Sequence, residues 1–184
     1  MTSAYFTGKG DAGHSGLFGS AVRIPKHDPI FELLGTLDEL NSWLGLCREL
    51  AASENPTSPL SSPLEETQQA LFILQAQVAG ADKRLNEGHI GALEKAIAEL
   101  TADLTGPEGF YLAGGCLLSA HFDVARTVVR RTERTLLTIA ETRIIPGLGT
   151  AGAYLNRLSS LLYAMVRYAN QRQNVSETAP SYAG

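Results

Sequence analysis

Five stretches of the chain carry apolar residues three and four apart, and segments rich in glycine, proline and serine separate them. Residues at that spacing share one side of a helix, so each stretch predicts a helix with one buried face. Asp28-Pro29, an N-cap followed by proline at the first helical position, opens the first, which runs to about Leu50. Leu34, Leu37, Leu40, Trp43, Leu44 and Cys47 form its stripe. Gly35, Asp38 and Ser42 gather on another face, where a lone aspartate is either solvated or holds an arginine. After a polar linker over 51–62, Ser62-Pro63-Leu64-Glu65 has capping-box spacing and starts a helix to about Asp82, with Leu64, Leu71, Leu74, Val78 and Ala81 inward. The third runs from His89 to Leu104 on Ile90, Leu93, Ile97, Leu100 and Leu104. The fourth spans about Cys116 to Arg143 and the fifth Ala151 to about Gln173. On the fifth, Leu158, Leu161, Leu162, Met165 and Ala169 oppose Asn156, Ser160, Tyr163 and Arg167. No internal repeat and no strand pattern of any length is present. The expected fold is all-α, a five-helix bundle with short connections, forming a single domain over 1–184. A glycine-rich loop at about 5–26 precedes the bundle, and a flexible tail at about 174–184 follows it.

The fourth stretch has the sharpest division. Within Asp123-Val-Ala-Arg-Thr-Val-Val-Arg-Arg-Thr-Glu-Arg-Thr-Leu136, four arginines fall in nine residues. At roughly 100° per residue, Arg126, Arg130 and Arg134 step round one side with Glu133 and Asp123 beside them. Phe122, Ala125, Val128, Val129 and Leu136 occupy the other. Taken alone, such a face reads as solvated charge before it reads as an anion site.

Composition makes that cluster more informative. The chain has 184 residues, 44% of them hydrophobic, with a net charge of −4, so positive charge is local and no general affinity for nucleic acid is indicated. The two cysteines, Cys47 and Cys116, are far apart and give neither a disulfide framework nor a zinc site, which fits a reduced cytoplasmic setting. There is no apolar leader at the N-terminus and no apolar run long enough to span a bilayer, so no membrane association is expected. The four histidines lack metal-ligand spacing, and no Ser-His-Asp or Cys-His set is recognisable.

Residues 7–19, Thr-Gly-Lys-Gly-Asp-Ala-Gly-His-Ser-Gly-Leu-Phe-Gly, form either a phosphate cradle or a loose loop, with Lys26 nearby tilting the balance towards anions. Gly8-Lys-Gly-Asp-Ala-Gly13 matches G-x-G-x-x-G formally, but neither a preceding strand nor a following helix supports a dinucleotide fold. Phe110 and Tyr111 stand between glycines in a loop before the fourth helix, where aromatic residues more often plug the end of a core than touch a ligand. Glycine loop, Lys26, arginine helix and the polar face of the last helix together suit a polyphosphate. A catalyst of this composition works by positioning and charge stabilisation, without a nucleophile of its own.

These features in this order resemble the PduO-type family of ATP:corrinoid adenosyltransferases, from Tyr5 to about Arg172. The matching stretches are Thr7-Gly-Lys-Gly-Asp-Ala-Gly13 with Ser15-Gly16, Lys26-His-Asp-Pro29, Gly35-Thr-Leu-Asp-Glu-Leu-Asn-Ser42, Phe110-Tyr-Leu-Ala-Gly-Gly115, Val124-Ala-Arg-Thr-Val-Val-Arg-Arg-Thr-Glu-Arg134 and Tyr154-Leu-Asn-Arg-Leu-Ser159. The resemblance implies a five-helix bundle, a homotrimer with sites between subunits, and ATP with Mg²⁺ and reduced cobalamin as ligands. A corrinoid reductase is an implied partner. By match of position, Thr7, Gly8, Lys9, Gly10, Asp11, Ser15, Gly16, Lys26, Arg130, Arg131, Thr132, Glu133, Arg134 and Asn156 are expected to contact ATP. Asp38 and Arg126 are similar to an acid and arginine pair that bridges subunits and shapes the corrinoid site. Phe110 is similar to the aromatic residue that displaces the lower axial cobalt ligand, and Arg130 joins these three as an expected catalytic residue. No protein metal ligand is implied.

The implied reaction needs no protein nucleophile, because Co(I) attacks the ribose C5′ of ATP and triphosphate leaves. The chain departs from the family at His14-Ser15, Ala113, Asp123 and Ser160, where Thr-Thr, proline, histidine and aspartate are common. The last two bear on side-chain contacts to the corrinoid. The alternative reading is a nucleotide-binding helical bundle with a regulatory role.

Overall fold

The Asp28-Pro29 pair starts the first helix where the sequence places it: the Asp28 carboxylate accepts from the Ile30 amide at 3.0 Å. A computed structural model describes residues 5–107 and 109–182 of the chain. Helix α1 (Pro29–Glu54) outruns its expected end because Ala51 is buried. It stops at Asn55, whose extended backbone is what the following Pro56 demands.

Helix α2 (Ser61–Val78) starts one residue early, with buried Leu60 fixing the entry of the chain, and has no side-chain cap. The expected capping box at Ser62 is therefore not formed; its hydroxyl donates to Glu66 Oε1 at 2.9 Å. Helix α3 (Glu87–Thr101) is capped by Asn86 and begins two residues before the expected start. Helix α4 (Leu117–Ala140) is capped by Cys116 and Ser119, the Cys116 amide donating to Ser119 Oγ at 2.9 Å. It ends three residues before Arg143, whose guanidinium reaches back to Asp28 at 2.5 Å. Helix α5 (Leu148–Arg172) begins directly after Gly147, which takes a left-handed φ of 67°.

Helix α4 lies against both α1 and α5; α2 packs on α1 and α3 on α5. The apolar stripes meet as expected, with Leu37, Leu44, Leu71, Phe122, Ala125, Val129, Leu136, Leu158 and Leu162 fully excluded from water. Burial of this scale is the main drive for the fold. Helices α2 and α3 touch each other only slightly, leaving a groove along that seam.

Two features differ from expectation. A small antiparallel hairpin, β1 (His14–Gly16) and β2 (Arg23–Pro25), orders the glycine-rich region, with His14 opposite Pro25 and Gly16 opposite Arg23. Half-buried Leu17 and Ile24 join it to the core. The stretch after α5 also has defined contacts: Val175 packs on the core, Glu177 pairs with Arg167 at 2.5 Å, and Thr178 O accepts from the Leu112 amide at 2.8 Å. Among the described residues no helix is long and apolar enough to cross a membrane.

Candidate active site

The polar side of α4 divides between two clefts. Arg126 and Arg130 line one of about 390 Å³ together with Phe110, Tyr111, Ser160 and Tyr163. Arg131 and Arg134 line another of about 210 Å³ against Pro29 and Glu32 at the start of α1. Adjacent residues on a helix are about 100° apart, so Arg130 and Arg131 point to opposite sides of the α4 ridge.

The first cleft is bounded by the loop from Gly109 to Gly115, which presents Phe110 with 81% of its surface exposed. Phe110 plugs no core, although loop aromatics often do. Tyr111 is half-buried beneath Arg167, whose guanidinium carbon lies 4.9 Å from the ring centroid. Buried polar groups hold the loop. The Gly114 amide donates to Asp123 Oδ2 at 2.9 Å, the Gly114 carbonyl accepts from Ser119 Oγ at 3.2 Å and Asn170 Nδ2 at 3.1 Å, and the Cys116 amide donates to Asn170 Oδ1 at 3.2 Å. Gly115 has φ of 124°, and a Cβ there would stand 2.3 Å from Asn170 Oδ1, so glycine is required twice over.

Asp123 also holds Arg126: its Oδ1 accepts from Nε at 3.2 Å and Nη2 at 3.1 Å. The guanidinium lies 6.0 Å from the Tyr163 ring. Asp123 is thus not on the open cation face, as helical arithmetic suggests, but 7% exposed. The loop folding over the α4 N-terminus covers it.

The second region combines the hairpin with the α1 N-terminus. Arg23 ties the loop by donating to the Lys9 carbonyl at 2.7 Å and the His14 carbonyl at 2.5 Å. The Lys26 amide donates to Gly13 O at 2.8 Å, and Lys26 Nζ lies 3.0 Å from where a Gly10 Cβ would be. The ammonium therefore lies against the glycine backbone, with Thr7, Gly8, Lys9 and Asp11 exposed around it. Lys26 precedes by three residues the Pro29 that lines the Arg131 and Arg134 cleft. Arg131 is paired with Glu39 of α1. Asn156 Nδ2 donates to Glu133 Oε1 at 3.4 Å across the α4 and α5 contact.

Two of the expected residues stand differently. Thr132 is fully buried and its hydroxyl donates to Val128 O at 2.9 Å, so its side chain cannot meet ATP; this corrects the expected contact. Its spacing of four from both Val128 and Leu136 puts it on the apolar stripe. Asp38 is exposed on α1, and its carboxylate has no partner among the described residues. Within one chain it does not pair with Arg126. Arg23, Asn170 and the loop-holding role of Asp123 went unread in the sequence, because each depends on a backbone partner set by the fold. The cysteines offer no nucleophile: burial pushes the Cys47 thiol up to about 12, and Cys116 is enclosed at the α4 cap.

Known proteins share this fold and sequence. The family model for cobalamin adenosyltransferases matches residues 5–169. The corrinoid adenosyltransferase PduO of Salmonella typhimurium is 36% identical over 97% of this chain, which spans 54% of that protein's length. A corrinoid adenosyltransferase of Citrobacter freundii is also 36% identical, over 95% of this chain and 96% of its own. A variant of the PduO-type ATP:corrinoid adenosyltransferase of Lactobacillus reuteri, solved in complex with cobalamin and ATP, superposes with a TM-score of 0.87 at 31% identity, covering 96% of this chain and 98% of that one. The chain belongs to the cobalamin adenosyltransferase family.

Proposed function

We propose that this protein transfers the 5′-deoxyadenosyl group of ATP to the cobalt of a reduced corrinoid, and that the ridge of α4 divides the two substrates. The observation that carries this reading is the split of the α4 cations: Arg126 and Arg130 share a cleft with exposed Phe110, while Arg131 and Arg134 line a separate cleft with Pro29 and Glu32 at the start of α1. The Lactobacillus reuteri relative, solved with cobalamin and ATP together, supports two adjoining substrate sites.

In the reaction the Co(I) electron pair forms a bond to C5′ as the bond from C5′ to the triphosphate oxygen breaks, and triphosphate leaves with the electron pair. Negative charge grows on the leaving oxygen. Lys26, Arg131 and Arg134 are placed to bind and orient the phosphates, with backbone amides and the Ser15 hydroxyl of the loop beside them. Arg130, at the aromatic cleft, stabilises charge where the two substrates meet. Phe110 covers the lower cobalt face and keeps water from it. Among the described residues no three His, Cys, Asp or Glu side chains group to hold a metal. Mg²⁺ brought in with ATP would supply further neutralisation of the phosphate charge beside Lys26, Arg131 and Arg134.

The active form is a homotrimer with sites between subunits. Support comes from the unpartnered Asp38 and from exposed Leu46 of α1 with Val124 and Leu137 of α4, which supply apolar surface. Asp38 of one subunit then meets Arg126 of its neighbour. A corrinoid reductase supplies Co(I), in the cytoplasm. The deciding experiment mixes purified protein, ATP, Mg²⁺ and chemically reduced cobalamin. The absorbance spectrum of adenosylcobalamin should develop, and an unchanged spectrum overturns the proposal.

A further inference from the structure

Asp123 is the one carboxylate of α4 that is buried, and its two oxygens serve different parts of the corrinoid cleft. Oδ2 takes the Gly114 amide of the aromatic loop at 2.9 Å, and Oδ1 takes Nε and Nη2 of Arg126 at 3.2 and 3.1 Å. Its side chain is 9% exposed, so water cannot replace either partner freely. The bond uses the Nε side of the guanidinium and leaves the Nη1 end open. Arg126 can then face a second carboxylate while Asp123 holds its orientation.

We infer that Asp123 is a positioning residue that fixes the Phe110 loop and Arg126 in one geometry from within a single subunit, so that the corrinoid cleft is preorganised before substrate or a neighbouring subunit arrives. The inference rests on the assignment of this cleft to the corrinoid. It requires two acceptor oxygens at position 123. Asparagine has one, and its amide must turn a donor either to the Gly114 amide or to the guanidinium. Alanine has none. The loop has other supports, through Ser119 and Asn170 to Gly114 O, so removing Asp123 should loosen the Gly114 amide without unfolding the helices.

Three measurements test this. In Asp123→Asn, KM for reduced cobalamin should rise roughly tenfold, as expected for a hydrogen bond involving a charged group, while KM for ATP moves less than about twofold. Combining Asp123→Asn with Arg126→Ala should cost no more in corrinoid KM than Arg126→Ala alone, because without the guanidinium the single asparagine oxygen is free to serve the Gly114 amide. Equal movement of both KM values, or additive losses in the double variant, would overturn the inference. The third needs no activity: in ligand-free protein, Asp123→Ala should speed amide exchange at Gly114 by roughly tenfold or more and leave the α5 core amides protected. Unchanged exchange at Gly114 overturns the loop clamp. Lack of turnover by the unaltered protein would instead remove the proposed activity, with the exchange experiment still deciding whether Asp123 holds the loop.

Discussion

Single side chains in this molecule divide into those whose place follows from helical spacing and those placed by a distant backbone group. The core of α4 and its cation face belong to the first kind, as does Thr132, whose burial is implied by its distance from Val128 and Leu136. Asp123 belongs to the second: nothing in its own helix marks it as a partner for Gly114. The same distinction separates two expected substitutions. Arg130 is exposed at the aromatic cleft and free to meet an anion, so Arg130→Ala should lower kcat/KM by the equivalent of about 1.5 to 3 kcal/mol, the usual worth of a charge-assisted contact. Steady-state kinetics with unchanged thermal melting would check it. Asp38 lies exposed on α1 and is assigned to the corrinoid side in the proposed reading, so Asp38→Asn should weaken corrinoid use more than ATP binding. Calorimetry with ATP beside corrinoid kinetics measures the difference, and equal losses would contradict the separate roles.

Among the elements, five helices were legible because each buries an apolar stripe, and their ends shifted where one further contact decided the matter. Ala51 lengthens α1, Leu60 advances α2, and the pull of Asp28 on Arg143 accompanies the early end of α4. The hairpin was not legible. Strands of three residues, half of them exposed, are too short to show a pattern, and the Arg23 side chain and the Gly13 carbonyl secure them through bonds to and from the backbone. The aromatic loop is more constrained than its glycine content suggests. Gly115→Ala would set a methyl group 2.3 Å from Asn170 Oδ1 at a positive φ. It should cost at least about 2 kcal/mol, a fall in Tm of about 4–8 °C for a chain of this size. A smaller shift on thermal melting would show that Asn170 can turn aside.

For the molecule as a whole, the helical bundle and its family were accessible from ordered motifs, whereas the division of the α4 arginines between two clefts needed the fold, since Arg130 and Arg131 are neighbours in sequence. Global stability also carries a pH signature. Burial raises the Cys47 thiol from its ordinary 9.0 to about 12, so between those values the unfolded chain releases a proton that the folded chain retains. Stability should therefore fall as pH rises above about 9, by roughly 1.4 kcal/mol for each pH unit from this group alone. Urea unfolding of the protein and of Cys47→Ala across that range isolates the effect. The hairpin has a different global consequence. It is flanked by Lys9 and Lys26, both exposed, on a segment joined to the core by half-buried Leu17 and Ile24, while the five helices pack on one another. Trypsin should cut there first and leave the five helices intact, and ATP held by that loop should slow the cut in proportion to its occupancy. Protease resistance would then serve as a nucleotide-binding isotherm, and a nicked protein would be a bundle that has lost its grip on ATP while keeping its fold.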